Sequence, residues 1–156
     1  VAVTDTPFGD RVLREDYGAI GPEDLVVLTK GKAFPTALEN HPNRVRARYR
    51  FPEANPAARY RFVAAIGDPE RAREELRAAG YRIEDLTVFP DHHPFTLPEA
   101  EKIVEEARST DSTVLLSGKD WVKWRALGIP VESVEVVEPE IEIVEGSENW
   151  KKLFEG

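Results

Sequence analysis

Two of the three histidines in this sequence stand side by side, in Phe89-Pro90-Asp91-His92-His93-Pro94-Phe95-Thr96. Imidazole is the side chain that titrates nearest neutral pH, and a carboxylate one residue away can orient it or balance its charge. Three kinds of work suit such a group: acid–base or substrate-orienting chemistry, metal ligation, or a lock bonded to backbone carbonyls. Two adjacent histidines do not both face one small ion easily, and no other cluster has metal-ligand spacing, so no metal site is assigned. Asp91, His92 and His93 are therefore the candidate catalytic residues, with a loop lock as the alternative. A second candidate is Ser117-Gly118-Lys119-Asp120, at the start of an expected helix. Helix N-termini attract anions, and Lys119 would reinforce this one. The alternative is ordinary capping by Ser117 and Asp120, with Lys119 in solvent. Arg14 and Glu15 read by themselves as a surface ion pair.

The elements that must position these groups are legible from pattern. Residues 60–66, 82–89 and 113–116 read as strands. Asp68-Pro69 starts one helix, by capping and by a proline at its first position, and Gly80 stops it. Thr96 and Glu99 form a capping box for a second helix running to about residue 108, burying Ala100, Ile103, Val104 and Ala107. Ser117 caps a third, which ends at Gly128. Strand and helix alternating from 60 to 128 imply parallel β-α-β units, whose loops at 67–68, 91–93 and 117–120 converge on one sheet edge. In open α/β sheets ligands bind outside the carboxyl ends of the strands.

The flanks are strand-rich. Residues 1–4 and 24–29 read as buried strands, and 34–43 as loop with at most one helical turn. Arg44, Arg46, Arg48 and Arg50 alternate with Val45, Ala47, Tyr49 and Phe51, the period of a strand with one wet face. That stripe reads as charge that discourages edge pairing or as a contact for phosphates and anionic lipid heads. Prolines at 52 and 56 mark a break. Residues 131–137 and 140–144 read as two further strands, with Glu138, Glu140 and Glu142 on one face, and 147–154 as a short helix docked through Trp150 and Leu153. The expected whole is a single α/β domain over 1–156. Its parts are an irregular, strand-rich portion (1–59), a β-α-β core (60–128) and terminal strands with a short helix (129–156).

Composition narrows the function. With 21 basic and 29 acidic side chains the formal charge is -8, which argues against general nucleic-acid binding. There is no cysteine, so disulfides and thiolate–metal sites are excluded. No apolar run approaches the ~18 residues of a membrane span, and no signal-peptide pattern opens the chain. A cytoplasmic protein is expected. The chain begins as if mid-strand and has no methionine; the expectation is a cut or a design choice at its start. The many Glu and Arg on helices suit a thermostable or designed sequence. A phosphate-cradling P-loop needs G-x-x-x-x-G-K-S/T. Neither Gly31-Lys32 nor Gly118-Lys119 has the second glycine or the hydroxyl residue.

Three ordered segments resemble one family. Ala64-Ala65-Ile66-Gly67-Asp68-Pro69-Glu70-Arg71 is similar to the A-G-I-G-x-P-x-R segment of the tetraacyldisaccharide 4'-kinases, the lipid A kinases. The stretch around His92 resembles that family's F-P-D-H-H-x-Y/F-S/T. Ser117-Gly118-Lys119-Asp120-Trp121-Val122-Lys123 resembles its T-E-K-D-A-V-K, with Gly118 where glutamate is usual. Pro7-Phe8-Gly9 and Leu13-Arg14-Glu15 look like its earlier P-F-G-N-G and P-L-R-E pieces. The resemblance is to the carboxyl-terminal portion of the kinase. It implies an open, mostly parallel sheet flanked by helices, a Rossmann-like, P-loop-kinase-like lobe without the P-loop.

By the same resemblance, ATP and magnesium serve the whole enzyme, while this chain alone carries no cofactor. The substrate would be a lipid A disaccharide precursor, met by peripheral contact at the cytoplasmic face of the inner membrane. One loop histidine, His92 before His93, would help a catalytic aspartate of an amino-terminal half activate the sugar hydroxyl. Arg14, Glu15, Lys119 and Asp120 would lie near phosphates and substrate. Without the nucleotide-binding half, the isolated chain is expected to be inactive. The competing reading is a non-catalytic α/β module, natural or designed, that keeps these motifs as structural punctuation.

Overall fold

The structure, a computed structural model, describes residues 2–4, 17–29 and 33–152. Arg14, Glu15, the Pro7-Phe8-Gly9 piece and Leu153 lie outside the described residues. In chain order the elements are β1 (Ala2–Thr4), β2 (Val26–Leu28), β3 (Arg44–Arg50), β4 (Tyr60–Ala64), α1 (Pro69–Ala78), β5 (Ile83–Val88), α2 (Leu97–Ser109), β6 (Thr113–Ser117), α3 (Gly118–Ala126), β7 (Val134–Val137), β8 (Glu140–Glu145) and α4 (Ser147–Lys151), with single 3-10 turns at Tyr17–Ala19, Thr36–Leu38 and Val131–Ser133. The chain divides into two compact units, 1–50 with 140–156, and 51–139. Both crossings fall beside prolines, Pro52 and Pro139, which cannot donate to a continuing ladder.

The unit of residues 51–139 is an α/β sandwich. Its four strands, in the order β5-β4-β6-β7, are all parallel. Both faces are covered, so β4 and β6 are apolar on both sides. Tyr60, Phe62 and Ala64 look toward α1, where Leu76 is the buried anchor. Val63, Val114 and Leu116 look the other way, toward Ala100, Ile103, Val104 and Ala107 of α2 and Trp124 of α3. The expected apolar stripe of α2 is the buried one. The caps are those the sequence signals. Asp68 accepts from the Arg71 N–H at 3.2 Å, Ser117 from the Asp120 N–H at 3.2 Å, and Thr96 and Glu99 close a reciprocal box. The loops after β4 and β6 lead to helices on opposite faces, the arrangement that opens a crevice between neighbouring strand ends.

The other unit holds the second sheet, β1-β2-β3-β8, parallel except for β8. Here the reading of the arginine stripe needs correction. β3 is an interior strand, and its arginines face glutamates of β8 across an antiparallel ladder. Arg48 meets Glu142 and Arg50 meets Glu140, each at 2.7 Å, and Glu145 lies between Arg44 and Arg46 at 3.7 and 3.4 Å. Neither edge protection nor anion capture explains the stripe; cross-strand charge matching does. The opposite face buries Val27, Val45 and Ala47 with Ile143 and Trp150. Residues 131–133 are a 3-10 turn, so the strand expected from 131 begins at Val134.

Gly146 makes the turn from β8 into α4 with φ +77°, and a methyl there would collide with the Arg44 carbonyl oxygen. Gly128 has φ +85° with open space around it. Backbone strain alone costs about 1–2 kcal/mol, and overpacking against rigid backbone adds about 1–3 kcal/mol. Gly146→Ala should therefore destabilise its unit by about 2–5 kcal/mol, and Gly128→Ala its own by about 1–2 kcal/mol. Urea unfolding followed through amide signals of β3 and β6 respectively checks both; equal effects would contradict the close approach at Gly146.

Candidate functional site

The carboxyl ends of β4, β5 and β6 bring three sequence-predicted segments together. The Lys119 ammonium lies 3.2 Å from Asp91 Oδ1, so the start of α3 and the histidine loop meet on the same sheet edge. Gly67 completes the group: a Cβ built on it would lie 3.8 Å from Asp91 Oδ2.

The two histidines differ in environment. The His92 side chain is 74% exposed and stands 3.6 Å from Asp91 Oδ2 through Nε2. Its backbone is left-handed, φ +62°, a conformation that costs a non-glycine residue energy and that histidine adopts more readily than most. The His92 N–H donates to Asp91 Oδ1 at 2.9 Å and to the Ala65 carbonyl at 3.2 Å. His93 is 22% exposed. Its ring stacks on Phe89 at 4.6 Å, meets Phe95 edge-on at 5.1 Å, and bonds Glu99 of the α2 cap at 3.3 Å. His93 is thus the packed member of the pair, and His92 the one presented to solvent.

Asp91 is occupied as an orienter. One oxygen accepts from both Lys119 and its own following peptide. The Lys119 hydrogen bond, aided by His92, holds its carboxyl below the usual carboxylate range. Glu99 is likewise held low, chiefly by the Thr96 hydroxyl and then by the Thr96 N–H.

Asp120 lies inside. It is 0% exposed, and its carboxylate takes Ala65 N–H at 3.1 Å, the Ser117 hydroxyl at 3.1 Å and the Lys123 ammonium at 3.2 Å. It spans the crevice between the ends of β4 and β6. Lys123, which sequence reasoning passed over, also donates to the His93 carbonyl at 3.2 Å and sits 5.5 Å over the Phe95 ring. The signal for it was present in the spacing of Asp120 and Lys123, which share one helix face.

A cavity of about 330 Å³ lined by Arg59, Arg108 and Asp111 opens at the opposite edge, before β4 and β6 begin. Its arginines are already engaged, Arg59 by Asp111 and the Thr110 carbonyl, Arg108 by Ser133. Among the described residues, no group of three or more His, Asp or Glu could hold a metal ion. Asp91 is tied to Lys119, Glu99 to Thr96 and His93, and Asp120 is buried among three donors, so these residues do not fit a magnesium site. Among the described residues no helix is long and apolar enough to cross a membrane.

Comparison with known proteins adds a family. The family profile for tetraacyldisaccharide-1-P 4'-kinase matches residues 6–155. Tetraacyldisaccharide 4'-kinase of Rhodopseudomonas palustris (strain HaA2) is 46% identical over 57 residues, 36% of this chain and 17% of that protein. The protein of the same name from strain TIE-1 is 32% identical over 106 residues, 65% of this chain and 30% of that protein. The Rickettsia akari one is 26% identical over 129 residues, 80% of this chain and 40% of that protein. The chain thus spans less than half the length of these relatives. No solved structure matches it.

Two outcomes follow from this geometry. In Lys119→Met the Asp91 titration midpoint, followed by carboxyl NMR, should rise toward the ordinary ~3.9. A depressed carboxylate stabilises the fold above the ordinary range and loses that contribution as pH falls through its folded-state value, so the parent should be more stable than the variant at neutral pH and the two should converge at low pH. Separately, His93→Ala should cost about 1–3 kcal/mol in urea unfolding and His92→Ala no more than about 0.5 kcal/mol. The reverse ranking would overturn the division of labour between the two rings.

Proposed function

This chain belongs to the tetraacyldisaccharide-1-P 4'-kinase family, and on that premise we propose that it forms the part of a lipid A 4'-kinase that presents His92 to the sugar hydroxyl. The substrates are ATP and a tetraacyldisaccharide 1-phosphate. The hydroxyl oxygen bonds to the γ-phosphorus, the bond from that phosphorus to the bridging oxygen breaks, and His92 helps take the hydroxyl proton. The observation that carries this reading is the exposed imidazole of His92, held in a fixed left-handed turn beside Asp91 and Lys119 at the strand-end edge. Phosphoryl transfer depends on positioning and charge placement more than on covalent chemistry, and a rigid loop supplies the first. His93 serves the same loop from inside, through its aromatic neighbours.

The nucleotide and its metal are held, on this proposal, by groups outside the described residues. No P-loop pattern occurs in the sequence, and the acidic groups near His92 do not form a cation site. The same observation favours a second reading, a stable α/β module that binds no nucleotide and retains the motifs for folding alone.

A graft separates them. This chain's residues replace the aligned segment of the Rickettsia akari relative, and ATP-dependent phosphorylation of tetraacyldisaccharide 1-phosphate is assayed. The graft should transfer phosphate, and His92→Ala should lower the rate by about 10²–10⁴-fold, the range for a general acid–base group, without shifting its unfolding curve. A folded graft with full rate in His92→Ala would remove the proposal. An inactive folded graft, with no magnesium-ATP binding by this chain in calorimetry, would favour the second reading.

A further inference from the structure

We infer that Asp120 is a positioning residue, the hub from which two hydrogen-bonded arms fix the backbone of His92. The first arm runs through β4. Asp120 Oδ2 accepts the Ala65 N–H at 3.1 Å, and the carbonyl of the same Ala65 accepts the His92 N–H at 3.2 Å. The second runs through α3. Asp120 Oδ1 accepts from Lys123 Nζ at 3.2 Å, and that ammonium also donates to the His93 carbonyl at 3.2 Å. One buried carboxylate therefore holds the residue that bonds His92 before the loop and the cation that bonds the peptide just after it.

The chemistry favours a hub over a ligand contact. A fully buried carboxylate that has three donors gains nothing by turning out to a phosphate, whose charge it would repel. Its burial is costly unless its oxygens find donors, and here the donors come from the residue that follows β4, from the end of β6 and from α3. Those are the elements whose relative placement sets where the histidine loop lies. His92 needs such support. A left-handed non-glycine residue persists where its surroundings over-determine it, and with its side chain 74% exposed the ring itself supplies little of that. The second arm also passes Phe95, over which Lys123 is held, so the aromatic packing of His93 and the charge of Asp120 act on the same peptide.

This inference rests on the reading of His92 as the group that meets substrate, yet its test does not need turnover. Asp120→Asn keeps the shape but leaves one acceptor oxygen to serve both arms, puts an NH2 donor in place of the other, and removes the charge that holds Lys123. Lys123→Met cuts the second arm alone, and Lys123→Arg restores a donor. In the full chain, NMR would follow the His92 amide exchange rate and the couplings that report its positive φ, with Phe62 and Leu115 amides as the fold control. Exchange at His92 should accelerate by about tenfold or more in Asp120→Asn, as for a locally opened loop. It should accelerate less in Lys123→Met and return toward the parent value in Lys123→Arg. The positive-φ signature should weaken in the same order while Phe62 and Leu115 stay protected. If His92 keeps both its slow exchange and its positive φ in folded Asp120→Asn and Lys123→Met, the hub is wrong. That result leaves the His92→Ala assay untouched, so the two claims fail separately.

Discussion

The structure of residues 51–139 depends on how one negative charge is satisfied inside it. Parallel β4 and β6 are neighbours whose chains leave in opposite directions, and that divergence would leave an opening between their ends. Asp120 closes it. Ionised carboxylate in an apolar interior is tolerated only when paired and fully hydrogen-bonded. The three donors around Asp120 meet that demand, and in meeting it they fix β4, β6 and α3 to one another. Breaking one side of a buried ion pair typically costs about 3–5 kcal/mol. That is comparable to a large core truncation, so the strand-end edge is as firmly specified as the core beneath it.

From that fixed frame the histidine loop acquires two kinds of residue. His93, Phe95 and Phe89 pack inward, joined to Trp124 through the Phe95 edge at 5.6 Å. Asp91 and His92 point outward, joined to Lys119. Aromatic pairs contribute about 0.5–1.5 kcal/mol beyond their buried area, enough to offset the roughly 1–2 kcal/mol of a left-handed residue next door. Packing on one side of the loop thus supports strain on the other. The exposed imidazole needs no large cavity of its own to be placed accurately. The open cavity elsewhere in this unit lies at the far edge of the sheet and shares no residue with the loop.

Most of this was legible in the sequence wherever a local rule had one answer. Asp68-Pro69, the Thr96–Glu99 box and Ser117 each announce a helix start through backbone N–H groups that need partners, and the partners are one turn away. Alternation of strand and helix gave parallel order, hence convergence of the loops. What local rules could not give was pairing across distance. The arginines of β3 were visible as a stripe, and Glu140 and Glu142 as another, but nothing short-range says that strands some ninety residues apart lie side by side. The same limit hid the role of Asp120. At the third position of a helix an aspartate reads as a cap or as an anion-site neighbour. Only the arrival of Ala65 from another strand makes it a buried stitch. By residue type the two adjacent histidines were equivalent, and only the family resemblance put His92 first; the Phe89, Phe95 and Glu99 side chains then take His93 inward.

The arginine–glutamate ladder sharpens the contrast between charge that shapes a fold and charge that acts. Its pairs are exposed, and such pairs contribute about 0–1 kcal/mol each, screened further by salt. Their main effect is on register: a slip of one residue in β8 would turn its glutamates to the apolar face and Ile143 to solvent. Lys119 and Asp91 are also an exposed pair, yet they sit where a loop bends, and Asp91 holds the His92 peptide with the same oxygen that meets the lysine. A weak pair along a strand chooses an alignment. A weak pair at a strand end, backed by a buried one, sets the direction in which a titratable ring faces. On the proposed reading, direction is what a transferring phosphoryl group requires of its surroundings, and the inferred hub at Asp120 is where that direction would originate.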